Sequence, residues 1–118
     1  MDATSFHFTM TMPGDARLIE TVGELTAHAA KYAELADADA RALVEQVVAA
    51  ATASSTAAGH GALALSFERT PVRLDVAIEW DGNAPSGAHD SPADAPTAVH
   101  WSHRGDRQRC LVSHIARL

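Results

Sequence analysis

The sequence LVEQVVAAATASSTAAGHG, residues 43–61, combines two patterns that belong to a closely packed helix. Its first half has an apolar row at helical spacing, and its second half is rich in small residues, which let a helix pack close to a neighbouring layer. Apolar side chains three and four positions apart predict an amphipathic helix, and glycine commonly ends one. We therefore predict a helix that Asp37 or Asp39 caps and that Gly59 ends. The row consists of Leu43, Val44, Val47, Val48 and Ala51.

The residues before this helix predict one strand and one further helix. Phe6, Phe8, Met10 and Met12 alternate with polar residues, which is the period-two pattern of a half-buried strand. After Pro13 and Gly14, Asp15 is a good N-cap, and one apolar stripe at helical spacing follows over about residues 15–34. The stripe consists of Leu18, Ile19, Val22, Leu25, Ala29 and Tyr32.

The residues after the glycines predict two strand hairpins. In the first hairpin, apolar residues alternate from Leu63 to Phe67 and again from Leu74 to Trp80. In the second, Val99 and Trp101 precede a tight turn at Gly105 and Asp106, and a return strand follows. Residues 82–97 separate the hairpins; they have no periodicity and exceed an ordinary connection, so we predict a flexible loop there.

Two helices with one apolar stripe each and five strands with one apolar face each predict a layered architecture. These surfaces are buried together when both helices cover the same face of the sheet. We expect an α+β, two-layer sandwich, with two helices packed on one face of a mixed five-stranded sheet. The length of 118 residues fits a single domain over residues 1–118.

The composition argues against several function classes. The net charge of −6 disfavours a nucleic-acid ligand, because phosphate neutralisation needs a basic surface. No window approaches the ~20 apolar residues that cross a bilayer, so a cytoplasmic protein without a membrane partner is expected. The charge is uneven, since residues 98–118 hold four arginines against one aspartate. Such asymmetry can orient a charged partner.

The sequence gives little support for a metal site or for a reactive thiol. The single cysteine, Cys110, cannot form an internal disulfide and has no second thiolate for a metal site. Of the seven histidines, only His100 and His103 are close in sequence, and on a strand their spacing places them on opposite faces. We therefore expect no metal, although a zinc site built from histidines distant in sequence stays an alternative.

The element order, with a hairpin that ends in IEWDG at residues 78–82, resembles the histidine-kinase-like (GHKL) ATPase fold over residues 4–82. It looks most like the small bacterial anti-sigma-factor serine kinases. In such kinases the second helix carries a Glu and, four residues on, an Asn that helps hold magnesium and phosphates. The resemblance puts these positions at Gln46 and Ala50, with Ser54 one turn later. An amide cannot act as a general base near neutral pH, and a methyl group offers magnesium no oxygen.

The other landmarks of that family are similarly altered. A strand-end Asp in a DxGxG pattern reads adenine in the family, and WDGNA places Trp80 there, with Gly82 at the first glycine. Asp81 fits only after a slip of one residue, which would aim it at the opposite face of the strand. Glu45 is an alternative acid for the helix, but helical geometry turns it to solvent. The glycine-rich lid has no counterpart in residues 82–97.

The resemblance and these departures predict a non-catalytic regulatory protein that acts by binding another protein. The expected vestigial nucleotide pocket consists of Gln46, Ala50, Ser54, Trp80, Asp81 and Gly82. The expected partner-binding surfaces are the first helix and the arginine-bearing hairpin, and the expected partner-binding residues on the hairpin are Arg104, Arg107 and Arg109. We predict no catalytic residue and no cofactor.

The family also supplies the expected partners. In it they are sigma factors and the antagonist proteins that displace them, and homodimers are common. The alternative is an anti-sigma serine kinase or a nucleotide sensor that still binds ATP and magnesium through Ser54, Ser55 and Asp81. A plain oligomeric structural module is a third hypothesis.

Overall fold

A computed structural model describes residues 6–59, 61–70, 72–85, 90 and 97–115. A short 3₁₀ turn, Ala16–Leu18, leads into the first helix. Most of the loop predicted at residues 82–97 lies outside the described residues. The elements in chain order are β1 (Phe6–Pro13), α1 (Ile19–Tyr32), α2 (Asp37–Ala57), β2 (Ala62–Arg69), β3 (Arg73–Asp81), β4 (Thr97–Arg104) and β5 (Arg107–Ile115).

Within the residues that the structure describes, five strands form one sheet in the order β1-β2-β3-β5-β4, and every pairing among them is antiparallel. The α+β layering fits the prediction, but the predicted mixed sheet is wrong. A single helix after β1 would return the chain to the start of that strand and favour a parallel neighbour. Two helices return it to the end of β1 instead, so β2 begins beside Pro13 and runs backwards along β1.

The corner where the chain leaves and re-enters the sheet is held by backbone contacts. The Gly14 amide donates to the Gly61 carbonyl at 3.0 Å, and the Ser55 hydroxyl donates to the Gly14 carbonyl at 3.0 Å. A Cβ on Gly14 would lie 2.5 Å from the Gly61 oxygen, so only glycine fits without a shift. This corner fixes the register of β1 on β2.

The strand side chains that face the helices form most of the core. Taking a Leu or Phe side chain out of water stabilises a fold by about 1.5–3 kcal/mol. The helices contribute mainly alanine and valine, which allow close approach. The buried strand residues include Leu63, Leu65, Phe67, Leu74, Val76, Ile78, Trp80, Cys110 and Val112. The buried helix residues include Val22, Ala29, Ala30, Leu43, Val47 and Ala51.

The helix ends partly follow the predicted signals. Gly59, at φ 65°, follows α2 in the left-handed region that glycine adopts without strain. The N-cap of α2 is Ala36, without a side-chain cap, so the predicted caps Asp37 and Asp39 lie in the first turn. There their carboxylates face the positive end of the helix dipole. Asp15 accepts the Arg17 backbone amide at 2.9 Å and so caps the 3₁₀ turn.

Arg69 is a buried cation beside the end of α1. Its guanidinium donates to the carbonyl of Thr70 and, at 3.5 Å, to the carbonyl of Ala33 just after α1. Carbonyls at a helix C-terminus carry partial negative charge, which offsets part of the cost of burying the cation.

Within the described ranges, no helix has the length and apolarity needed to cross a membrane.

Candidate functional site

A cleft of about 650 Å³ opens beside the C-terminal half of α2, next to the residues that follow β3. Its volume falls within the ~300–1,000 Å³ typical of small-molecule sites. The described lining offers methyl groups, a proline ring and two hydroxyls. It consists of Ala49, Thr52, Ala53, Thr56, Ala57, Ala84 and Pro85, and we call it the α2 cleft.

The two hydroxyls of the α2 cleft already serve the helix. Thr52 donates to the Val48 carbonyl at 2.8 Å, and Thr56 donates to the Thr52 carbonyl at 3.1 Å. This back-bonding to the residue four positions earlier uses the hydroxyl hydrogen. Only oxygen lone pairs then face a ligand, and these cannot donate to a phosphate.

The three helix positions of the predicted nucleotide pocket lie in different surroundings. Gln46 is exposed, whereas Ala50 and Ser54 are buried, and the Ser54 hydroxyl donates to the Ala50 carbonyl at 2.7 Å. A step of four residues turns ~40° around a helix. Positions 46, 50 and 54 therefore lie successively further round the helix, from the solvent side to the core. The α2 cleft is lined instead by the neighbouring positions, including Ala49 and Ala53.

The strand-end positions follow the alternation of β3. Trp80 is buried on the helix side, where its indole nitrogen donates to the Asn83 carbonyl at 3.0 Å. Asp81 points to the opposite face and is exposed. Gly82, at φ 134°, donates its amide to the Asp106 carbonyl at 3.0 Å and thereby ties the end of β3 to the β4–β5 turn.

The groups proposed for the alternative ATP site do not converge. Ser54 and Ser55 are buried, and both hydroxyls donate to backbone carbonyls. Asp81 lies on the far face of the sheet, where its carboxylate accepts from Arg107 at 3.2 Å. Glu45 is exposed, in keeping with the orientation that helical periodicity predicted.

The three predicted partner-binding arginines share the sheet face that points away from the helices. Arg104 lies directly opposite Arg107 in the β4–β5 register, and Arg109 follows two residues later on the same side. We call these three residues the arginine cluster. Sequence reasoning did not place them on one face, although the tight turn and the two-residue spacing carried that signal.

The arginine cluster is only partly neutralised. Arg107 lies 3.2 Å from Asp81 and 3.7 Å from Glu79. Arg104 and Arg109 are exposed, and neither forms an ion pair with another described residue. The hairpin end therefore presents two guanidinium groups to solvent.

Cys110 is buried, and His100 and His114 each have a polar partner. Burial, with a smaller effect of the Asp90 charge, raises the pKa of the Cys110 thiol to about 12, so it is a poor nucleophile. His100 contacts Asp90 at 2.9 Å, and His114 contacts the Thr97 hydroxyl at 2.8 Å. Among the described residues, no three His, Cys, Asp or Glu side chains are grouped so as to hold a metal.

Comparisons with known proteins assign no function to the α2 cleft or to the arginine cluster. No protein-family model matches this chain, and no curated protein matches it at a significant level. The lining of the α2 cleft and the exposed charge of the arginine cluster therefore carry the functional argument.

Proposed function

We propose that this chain is a non-catalytic, cytoplasmic regulatory protein that acts by binding another protein, on a scaffold similar to the histidine-kinase-like ATPases. The observation that carries the proposal is the lining of the α2 cleft. Its described side chains are four alanines, two threonines and one proline. A nucleotide phosphate group would meet methyl groups there.

The chemistry of ATP makes this lining informative. Magnesium takes oxygen ligands, commonly carboxylates together with the phosphates. Phosphates are gripped by converging backbone amides or basic side chains. The described cleft residues supply no carboxylate, no carboxamide and no cation, and the hydroxyl hydrogens of Thr52 and Thr56 are engaged in the helix.

The arginine cluster supports protein binding as the mode of action. The chain as a whole carries a net charge of −6, so its exposed guanidinium groups stand out from the surrounding surface. Charge complementarity of this kind steers an acidic partner and orients it on contact. Under the resemblance, the partner is a sigma factor or the antagonist that displaces one.

Calorimetry of the full chain with ATP and magnesium tests the cleft. We expect no saturable binding up to millimolar nucleotide, and no change in the fluorescence of Trp80, whose indole contacts Asn83 beside the cleft residue Ala84. Saturable binding in the micromolar range would contradict the proposal. It would favour the alternative of a kinase or nucleotide sensor.

A charge-reversal pair tests the partner surface. The double variant Arg104→Glu/Arg109→Glu should weaken binding to a purified bacterial sigma factor or its antagonist by at least about tenfold, which is ~1.4 kcal/mol. The matched control is Arg17→Glu/Arg41→Glu, which makes the same change in net charge at exposed sites on the helical side. Equal losses in both double variants would show that only net charge matters and would contradict a role for the arginine cluster.

A further inference from the structure

The charge of Arg69 is poorly compensated within the described residues. The residue is 2% exposed, none of the ion pairs among those residues includes it, and its Nε has no hydrogen-bond partner there. Its contacts with the carbonyl oxygens of Arg73 and Ala33 are long, at 3.5 Å. Burying a cation without an anion is costly. An anion beside this guanidinium would recover part of that cost.

An apolar groove of about 340 Å³ opens between β1 and α1, and we call it the β1–α1 groove. Its volume lies at the lower end of the ~300–1,000 Å³ of small-molecule sites. Phe8 is 41% exposed and Tyr32 is 71% exposed, so both rings are open to an apolar ligand. The groove is lined by Phe6, Phe8, Leu25, His28, Ala29 and Tyr32.

Arg69 lies at one end of the β1–α1 groove. In the β1–β2 register it is directly opposite Phe6, and residues opposite each other in a sheet share a face. Its guanidinium reaches the carbonyl of Ala33, the residue that follows the lining residue Tyr32. The rings of Phe6 and Tyr32 meet edge to face, with 5.6 Å between centroids. The guanidinium therefore lies behind these two rings.

Tyr32 is the part of this boundary that can move. It is the last residue of α1, and its ring is mostly exposed. Exposed side chains change rotamer within nanoseconds, so this ring can turn away from Phe6 at little cost. Such a turn extends the groove towards Arg69.

The dimensions of the groove fit an extended chain. Its helix side runs from Leu25 to Tyr32, about 10 Å at 1.5 Å of rise per residue. Its strand side is formed by the rings of Phe6 and Phe8. An arginine binds a carboxylate through two parallel N–H···O bonds. An apolar groove with a cation at one end therefore matches an aliphatic chain that ends in a carboxylate.

We propose that the β1–α1 groove binds a medium-chain aliphatic carboxylate, with the chain on the aromatic rings and the carboxylate paired with Arg69. The apolar lining supplies affinity, and the buried cation supplies the preference for an anion over a neutral molecule of the same length. The α2 cleft and the arginine cluster lie on other elements, so this site rests on no part of the proposed function. A chain that binds both this carboxylate and ATP would overturn only the proposed function.

Calorimetry of the full chain with octanoate and, separately, with 1-octanol tests the site. We expect saturable binding of octanoate that is at least about tenfold tighter than that of octanol, because only the anion pairs with Arg69. Equal affinities for the two molecules would overturn the proposal. So would the absence of saturable octanoate binding up to millimolar concentration.

Arg69→Met isolates the charge, because methionine is long, flexible and apolar. Octanoate affinity should fall at least about tenfold, to that of octanol, while octanol affinity stays the same. The matched control is Arg73→Met, which removes an arginine at the same end of the sheet but on its other face, where it pairs with Asp75 at 2.9 Å. Equal losses in the two variants, or a preference for octanoate that survives Arg69→Met, would contradict the role of Arg69.

A second variant tests the site without changing the core. Thermal unfolding shows whether Arg69→Met folds, and replacing a buried charge by an apolar side chain is often neutral or stabilising. His28 is an exposed residue of the groove lining, so His28→Glu leaves the core intact. It should weaken octanoate binding several-fold and leave octanol binding unchanged, because only the anion is repelled. Unchanged octanoate binding, or equal effects on both molecules, would contradict this placement of the ligand.

Discussion

The α2 cleft and a groove between β1 and α1, the β1–α1 groove, both open to solvent beside a helix, but opposite kinds of side chain line them. The β1–α1 groove is lined by Phe6, Phe8, Leu25, His28, Ala29 and Tyr32. The cleft is the larger, at about 650 Å³ against about 340 Å³, and its described lining is mainly alanine and threonine. The groove is lined mainly by aromatic and aliphatic residues. A buried aromatic ring removes ~150–250 Å² from water, far more than an alanine methyl group. The smaller cavity therefore offers the stronger apolar contact.

The difference shows why cavity volume alone is a poor guide to function. The small side chains along α2 do not fill the space beside the helix, so the α2 cleft stays open. They also bring few polar groups to the cleft. The groove exists because Phe8 and Tyr32 extend beyond the edge of the core. A site is better identified by the groups it presents than by its size.

Removing the buried ring on which Phe8 stacks should have the largest effect. Phe67 is fully buried, and its ring stacks on Phe8 at 4.7 Å between centroids. Phe67→Ala should lower the free energy of unfolding by about 3–5 kcal/mol, because it leaves a cavity in the core. Urea denaturation measures this. The neighbouring Ser66→Ala, on the opposite face of β2, should change it by less than ~0.5 kcal/mol.

Enlarging two alanines on α2 should distinguish the cleft from the core. Ala50→Leu should destabilise the fold by about 1–3 kcal/mol, because Ala50 is buried and its surroundings are packed. Ala53→Leu places the same side chain in the α2 cleft, where space is open, so a change below ~1 kcal/mol is expected. Thermal unfolding of both variants checks this. Equal losses would mean that the cleft is closed in solution.

Cys110 allows the packing of the core to be tested by pH. Burial raises its pKa from 9.0 to about 12, so above pH 9 the unfolded state loses this proton while the folded state keeps it. Stability should then fall with pH by at most ~1.4 kcal/mol per unit between about pH 9 and pH 12. Urea denaturation at pH 9 and pH 10 should show a smaller decline in Cys110→Ala. The same decline in both proteins would contradict the burial of the thiol.

The ion pairs around Arg107 should contribute least. Arg107, Asp81 and Glu79 are all substantially exposed, and exposed pairs contribute about 0–1 kcal/mol. Arg107→Gln should therefore lower the free energy of unfolding by under ~1 kcal/mol, and the difference should shrink further in high salt. A loss comparable to that of Phe67→Ala would show that the hairpin end is structural rather than a binding surface.

The sequence predicted the elements of the fold better than their arrangement. Alternation placed Phe6 and Phe8 on a strand and turned Trp80 towards the helices, because one strand face is apolar and the other polar. The direction of β2 was missed, since it depends on how two consecutive helices return the chain rather than on any local pattern. The sheet is antiparallel for that reason.

The candidate site was harder to predict than the fold. Along α2 the run from Ala49 to Ala53 has alanines on both the buried and the open side, so hydrophobicity provides no contrast to set the phase of the helix. The difference between Ala49 and Ala50 became visible only through burial. The first helix was expected as a partner surface, but the groove that it forms with β1 was not, because its residues come from two elements that look like ordinary core when read separately.

The hydrogen bond between Gly14 and Gly61 joins the place where the chain leaves the sheet to the place where it returns. The helical layer is therefore a single excursion of the chain, a segment that begins and ends at one point of the sheet. Insertions or replacements within that excursion can change the length and chemistry of the helices without shifting any strand against its neighbour. The sheet can thus persist as a constant platform through evolution while the helices above it exchange a ligand cavity for a docking surface.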